Sequence, residues 1–142
     1  MYTKIATNRS MPDCSVIPVL AYEDVEKAVE WLCTTFGFKE RWRGGNHRAQ
    51  VAIGSGAIAL SRQPVDDGPL HRPRHSLMVR VEDAQVHYEN SLRRGAKIIQ
   101  SVTDFPYGER QYSVEDIGGH IWTFSQSIKD VVPEEWGGVT AR

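Results

Sequence analysis

The sequence predicts an α+β fold built from tandem βαβββ repeats, and three observations carry that prediction. Tyr22-Glu23-Asp24 follows an apolar run, opens a helical pattern and reaches Gly37. Val81-Glu82-Asp83 follows another apolar run, opens another helical pattern and reaches Gly95. Downstream of each, a glycine pair leads into a strand ending in Ser: Gly54-Ser55-Gly56-Ala57-Ile58-Ala59-Leu60-Ser61, then Gly118-Gly119-His120-Ile121-Trp122-Thr123-Phe124-Ser125. A copy of about 60 residues is too small to bury its own apolar face, so the 142 residues read as one domain made of two halves.

The elements follow in order. Residues 1–14 form an arm in which Pro12 breaks any early element. Ser15–Tyr22 reads as a strand, and Asp24 suits an N-cap because its carboxylate can accept a free backbone N–H. Val25, Ala28, Val29, Leu32, Cys33 and Phe36 recur at helical spacing, and Gly37 supplies the positive φ that ends the helix. Phe38–Arg43 and Ala49–Ile53 read as strands around the Gly44-Gly45-Asn46 turn, with Ala57–Ser61 as the fourth. The first repeat thus covers about 15–63. Pro64, Pro69, Pro73, Asp66, Asp67 and Gly68 mark 64–74 as the linker.

The second repeat, about 75–126, runs strand Ser76–Val81, helix Ala84–Arg94 between Asp83 and Gly95, then strands Lys97–Val102, Gln111–Glu115 and Ile121–Ser125. Its helix carries a weaker apolar stripe of Ala84, Tyr88 and Leu92 and is expected to be more exposed. The tail, 127–142, holds Val131-Val132-Pro133 and Trp136, which suit packing on the body or on a partner subunit. Two such units are expected to pair their sheets into a curved half-open barrel with the helices outside and a cavity inside.

Composition excludes several functions. The formal net charge is −1, and neither Lys nor Arg clusters beyond Arg93-Arg94, so no basic field points to nucleic acid. No apolar run approaches the ~18–20 residues of a membrane span, and Met1–Asp13 does not resemble a signal peptide. Cys14 and Cys33 have no metal-binding spacing, and Cys33 fits a buried thiol on an apolar helix face. These features predict a cytoplasmic protein.

Alternation assigns the strand faces. Leu77, Val79 and Val81 are uniformly aliphatic and belong against the helices, which turns Ser76, Met78 and Arg80 into the cavity. Trp122 and Phe124 take the helix side, leaving Ile121, Thr123 and Ser125 inward. Ile58 and Leu60 pack, so Ala57, Ala59 and Ser61 face in; repeat alignment adds Ile17, Val19 and Ala21.

Pro106-Tyr107-Gly108-Glu109-Arg110, followed by Asp116-Ile117-Gly118-Gly119-His120-Ile121-Trp122-Thr123-Phe124, is similar to a Tyr-Gly-x-Arg … Asp-Pro-x-Gly-His-x-Trp signature. With the repeat pattern from Ser15 to about Gln126, the chain resembles the glyoxalase / bleomycin-resistance / extradiol-dioxygenase superfamily, the vicinal oxygen chelate fold, in a bacterial glyoxalase-like branch. Ile117 departs from that signature, standing where Pro is usual. Metal-dependent members place His, Glu or Gln on four inward positions. By alignment these are Ile17, Ala59, Ser76 and Thr123 here, none of which supplies imidazole or carboxylate. The resemblance therefore implies no metal and no cofactor. A one-residue slip would turn His75 inward, but would drive Leu77, Val79 and Val81 into the cavity.

No catalytic residue can be assigned. The ligand-binding candidates are Arg80, Met78, Tyr112, Arg110, Trp42, His47, Ser76 and Thr123. Arg80 suits either a ligand carboxylate or phosphate, or a salt bridge to a nearby Asp or Glu. Met78 is an adaptable wall or plain packing. Arg110 and Tyr112 follow the loop Asp104–Glu109 over the cavity mouth, as ligand contacts or as a loop brace. Trp42, His47 and Arg48 are expected at the same mouth. His120 is either a general base or, preferably, a structural hydrogen-bonding group; His71 and His87 read as linker and exposed-helix residues.

Three functions follow. The first is a metal-free binding protein for a small molecule, and the near-zero net charge argues against a strongly cationic ligand. The second is a lyase, isomerase or ring-cleaving dioxygenase, which in the superfamily rests on a metal. The third is an interaction or regulatory module with a vestigial cavity. Apolar rims and edges favour a homodimer.

Overall fold

The computed structural model of the protein describes residues 5–63 and 75–141, and the chain divides into two compact units, 1–67 and 68–142. The expected linker, 64–74, with His71, lies outside the described residues.

In the first unit, β1 (Val19–Tyr22) leads to α1 (Val25–Phe36), then β2 (Lys39–Gly44), β3 (Arg48–Ile53) and β4 (Gly56–Arg62). The strand order is β1-β4-β3-β2, with β1 parallel to β4 and the other pairs antiparallel. Asp24 caps α1 by accepting from the Lys27 N–H at 3.0 Å, and Gly37 ends it at φ 79°. Val25, Ala28, Val29, Leu32 and Phe36 are buried with Ala49, Val51, Ile58 and Leu60, so the helix covers one face of the sheet. β1 begins at Val19 rather than Ser15 because Pro18 has no N–H to give a ladder.

The second unit repeats the plan. β5 (Leu77–Arg80), α2 (Ala84–Arg93), β6 (Lys97–Phe105), β7 (Glu109–Glu115) and β8 (Ile121–Ser127) form a sheet of order β5-β8-β7-β6, again with only the first pair parallel. Registers coincide: Val19 lies opposite Ala59 in one unit, and Met78 opposite Thr123 in the other. β6 runs past Val102 to Phe105 through two irregularities in pairing, which shortens the expected loop to a turn closed by the Gly108 N–H on the Phe105 carbonyl at 3.1 Å. The tail carries a 3₁₀ turn, Pro133–Trp136.

The stripe expected on α2 needs correction. Leu92 is 52% exposed, whereas Ala84 and Ser91 are buried and His87 lies partly buried. The reason is the Tyr112 hydroxyl beneath the helix, which requires polar partners, and His87 and Ser91 meet it one turn apart.

Candidate functional site

Because the apolar side chains of the second unit gather under α2, the opposite face of its sheet is free for polar groups. Register puts Met78, Arg80, Glu109, Gln111, Ser113, Thr123, Ser125 and Ser127 on that face. Several of them are bonded to one another: Ser113 and Thr123 pair through their hydroxyls at 2.8 Å, while Gln111 Nε2 donates to Ser125 Oγ at 2.9 Å and Ser125 Oγ donates to Glu109 Oε1 at 2.7 Å. The Tyr107 hydroxyl donates to Gln111 Oε1 at 3.3 Å.

At one end of this face lies an open groove of about 560 Å³, walled by Arg80, Tyr107, Glu109, Ser127 and the segment 128–131. Gly108 makes that wall possible. Its φ is +83°, and an added Cβ would strike the Lys129 carbonyl oxygen and come within 2.9 Å of Val131 Cγ2. The Ile128 N–H donates to the Gly108 carbonyl at 2.8 Å, and Trp136 meets Tyr107 edge-on at 5.6 Å. The tail thus lies along the Tyr-Gly turn.

Arg80 enters the groove from β5. One guanidinium nitrogen donates to Ser127 Oγ at 3.1 Å, and among the described residues no ion pair holds it. Lys129 adds a second positive group to the lining, against Glu109 and Asp130. Met78 is 63% exposed on the same face, two residues from Arg80. Ser76 precedes β5 and is exposed.

Two expected groove residues point elsewhere. Tyr112 is fully buried on the helix side, stacked on Phe124 with ring centroids 5.4 Å apart and bonded to Ser91 at 2.9 Å. Burial pushes its phenol well above the ordinary range. The alternation of Tyr112 and Val114 between polar neighbours is the signal that reveals this face. Arg110 shares it, since Arg110 pairs with Gln126, whose Oε1 accepts from the Ala84 N–H of α2. Its guanidinium forks onto Asp104 across the β6–β7 pair at 2.7 and 3.1 Å, and that hydrogen bond holds the Asp104 carboxyl below its usual range. Arg110 is a brace of the hairpin, not a groove contact.

The glycine-rich signature is also structural. Asp116 Oδ1 accepts from the backbone N–H of Gly118 and of His120, both at 2.9 Å, and Oδ2 accepts from Trp122 Nε1 at 3.0 Å. Ile117 occupies the second position of the turn closed by Gly119 N–H on the Asp116 carbonyl, a place that suits Pro.

In the first unit, Trp42 is half-buried and His47 lies exposed at the β2–β3 turn. The Trp42 indole N–H donates to the Ser10 carbonyl at 3.2 Å, so the arm lies against this strand. Sequence reasoning missed Arg41, which contacts the same arm; a bulge between Glu40 and Trp42 breaks the alternation there, and no Gly or Pro announces it.

The resemblance aligns Ile17, Ala59, Ser76 and Thr123 with metal-ligand positions, and a divalent ion there needs imidazole or carboxylate donors. Ile17 and Ala59 have no donor atom, and the Thr123 hydroxyl is engaged with Ser113. Among the described residues, no three His, Cys, Asp or Glu side chains converge as a metal-binding group. These residues do not fit the family's metal.

Residues 16–124 match the family model described as the Glyoxalase/Bleomycin resistance protein/Dioxygenase superfamily. No curated protein matches. Among solved structures, the chain is similar to TioX from Micromonospora sp. ML1, at 33% identity, a TM-score of 0.66, and coverage of 80% of this chain and 99% of that one. It shares the fold of a glyoxalase/bleomycin resistance protein/dioxygenase from Alicyclobacillus acidocaldarius, at 13% identity and TM-score 0.65, covering 84% and 95%. The same holds for the genomically encoded fosfomycin resistance protein FosX from Listeria monocytogenes, at 15% identity and TM-score 0.65, covering 88% and 96%. A family match over most of the chain, a relative of one-third identity and two βαβββ units of one topology agree: the chain belongs to the glyoxalase/bleomycin resistance/dioxygenase superfamily.

Proposed function

We propose that the protein binds a small anionic molecule, without a metal, in the groove at Arg80. The observation that carries this reading is a guanidinium placed in the groove wall by β5, oriented by Ser127, with no ion pair among the described residues. A guanidinium in this setting can grip a carboxylate or phosphate with two parallel hydrogen bonds. Glu109 and Asp130 on the same walls favour a ligand whose other end donates hydrogen bonds or carries a positive charge. Donor-poor residues at Ile17, Ala59, Ser76 and Thr123 support binding without a metal.

Thermal-shift screening against small carboxylates, phosphates and amino acids supplies a ligand, and two variants test the assignment. A charge-assisted contact contributes about 1.5–3 kcal/mol. Arg80→Met should therefore weaken binding by roughly ten- to a hundredfold while the melting temperature holds. Arg80→Lys should recover part of the affinity, because an ammonium lacks the planar fork. A fall in melting temperature with unaltered affinity would retire the anion site. Elemental analysis after dialysis against trace Zn²⁺, Ni²⁺ or Fe²⁺ tests the metal-free reading. One tightly held ion per chain would revive the lyase alternative.

A further inference from the structure

The face of the first sheet away from α1 carries a different device. Arg41 and Trp42 are adjacent in sequence, yet both reach the arm. The β-bulge between Glu40 and Trp42 puts an extra residue into β2, which lets consecutive side chains serve one face. The Arg41 guanidinium donates to the Arg9 carbonyl at 3.3 Å and to the Met11 carbonyl at 3.5 Å, while the Trp42 indole donates to the Ser10 carbonyl at 3.2 Å. Three successive main-chain carbonyls are thus read by two neighbouring side chains. Gln50 on β3 bonds to Arg41 and fixes its plane, and its amide nitrogen lies 3.9 Å from Met11 Sδ.

The bound segment is itself ordered as a turn, with the Met11 N–H on the Asn8 carbonyl at 2.9 Å and the Ser10 N–H on Asn8 Oδ1 at 2.9 Å. Nearly all of the recognition falls on backbone oxygens, so it is largely indifferent to the side chains at 9–11. Little surface is buried in exchange, since residues 5–11 are all exposed. A contact made of a few exposed hydrogen bonds is weak and exchangeable.

We propose that this face, built by Arg41, Trp42 and Gln50, is a binding site for a peptide turn, which the chain's own residues 8–11 fill in the free protein. Peptides or peptide-like compounds presenting three successive carbonyls in a turn compete with the arm for it. The site is built from residues of the first unit, and the Arg80 groove from residues of the second.

Trypsin cleavage of the full chain between Arg9 and Ser10 reports the arm, because a protease needs that bond extended and undocked. Cleavage is followed by mass spectrometry as a new N-terminus at Ser10. The probes are Ac-Thr-Asn-Gln-Ser-Met-Pro-NH₂, which trypsin cannot cut, and its analogue with alanine in place of Ser and Met. Combining Arg41→Gln with Trp42→Phe should speed cleavage by about tenfold, the order expected from losing a few exposed hydrogen bonds. In the unmodified chain, either peptide at about 5 mM should speed cleavage several-fold, a concentration set by the local concentration of a tethered arm. Wild-type cleavage as fast as in the double variant would overturn the docking. Peptides without effect on the wild type would overturn an exchangeable site, whatever the variant does. Competition by the native sequence alone would overturn recognition of the main chain. Arg80→Met should leave every one of these rates unchanged, so failure of the groove reading and failure of this one are separately visible.

Discussion

Asp116 offers a perturbation whose magnitude can be worked donor by donor. Replacing it with Ala leaves three N–H groups without their acceptor. The Trp122 indole is fully buried, so its N–H cannot turn to water and loses about 1–3 kcal/mol. The His120 N–H is partly shielded and should lose about 1 kcal/mol, whereas Gly118 is exposed and loses only a few tenths. The sum, about 3 kcal/mol, corresponds to a fall in melting temperature of roughly 10 °C for a chain of this size. Asp116→Asn should cost less, since one amide oxygen can still serve the two backbone donors, but its NH₂ then opposes the indole. Circular-dichroism melts and urea titrations measure both variants, and Trp122→Phe in each background isolates the indole share by a double-mutant cycle. A loss below about 1 kcal/mol for Asp116→Ala would refute the reasoning, because it would mean that the donors find water.

Gly108→Ala should strain the left-handed backbone and push the Lys129 carbonyl away, loosening segment 128–131. Faster proteolysis there, with weakened ligand binding, is the expected result, and an unchanged melt would argue against it. Tyr112 is held protonated by burial, so its stabilisation is complete below the unfolded phenol value near 10 and is lost as pH rises above it. Alkaline melts should show this loss in the native chain and not in Tyr112→Phe, and absorbance titration should find at least one of the five tyrosines ionising late. A homodimer is expected from the exposed apolar side chains Val16, Val19, Met78, Val132 and Trp136, and sedimentation at tens of micromolar (order of magnitude) showing only monomer would contradict it.

The frame was legible in the sequence because it rests on local chemistry. Asp24 and Asp83 cap their helices at matching places, Gly37 and Gly95 adopt φ of 79° and 80°, and the aliphatic alternation of Leu77 and Val79 set the register that turns Arg80 away from α2. Where a side chain lies elsewhere than its sequence suggests, the deciding contact is long-range or the alternation is broken. Tyr112 stands close to a loop in sequence, whereas its pairing with Phe124 places it under α2. His87 looked like a surface residue because nothing on its own helix reveals the phenol below it. Trp42 stands out in the sequence, but its partner Ser10 lies 32 positions away and its neighbour Arg41 joins it only through an unannounced bulge.

The matching register of the two sheets has a practical consequence for protein engineering. Val19 and Met78 occupy equivalent sites, as do Ala59 and Thr123, and each pair differs in chemistry while the strand pairing around it is the same. The frame is therefore set by the residues facing α1 and α2. Val19 and Met78 are 58% and 63% exposed, so substitutions there neither open a void nor break a ladder. Variation at Val19 and Met78 would therefore change the chemistry of the exposed face in either unit while drawing little on the stability of the scaffold, and a residue tolerated in one unit can be tried at the same coordinate of the other.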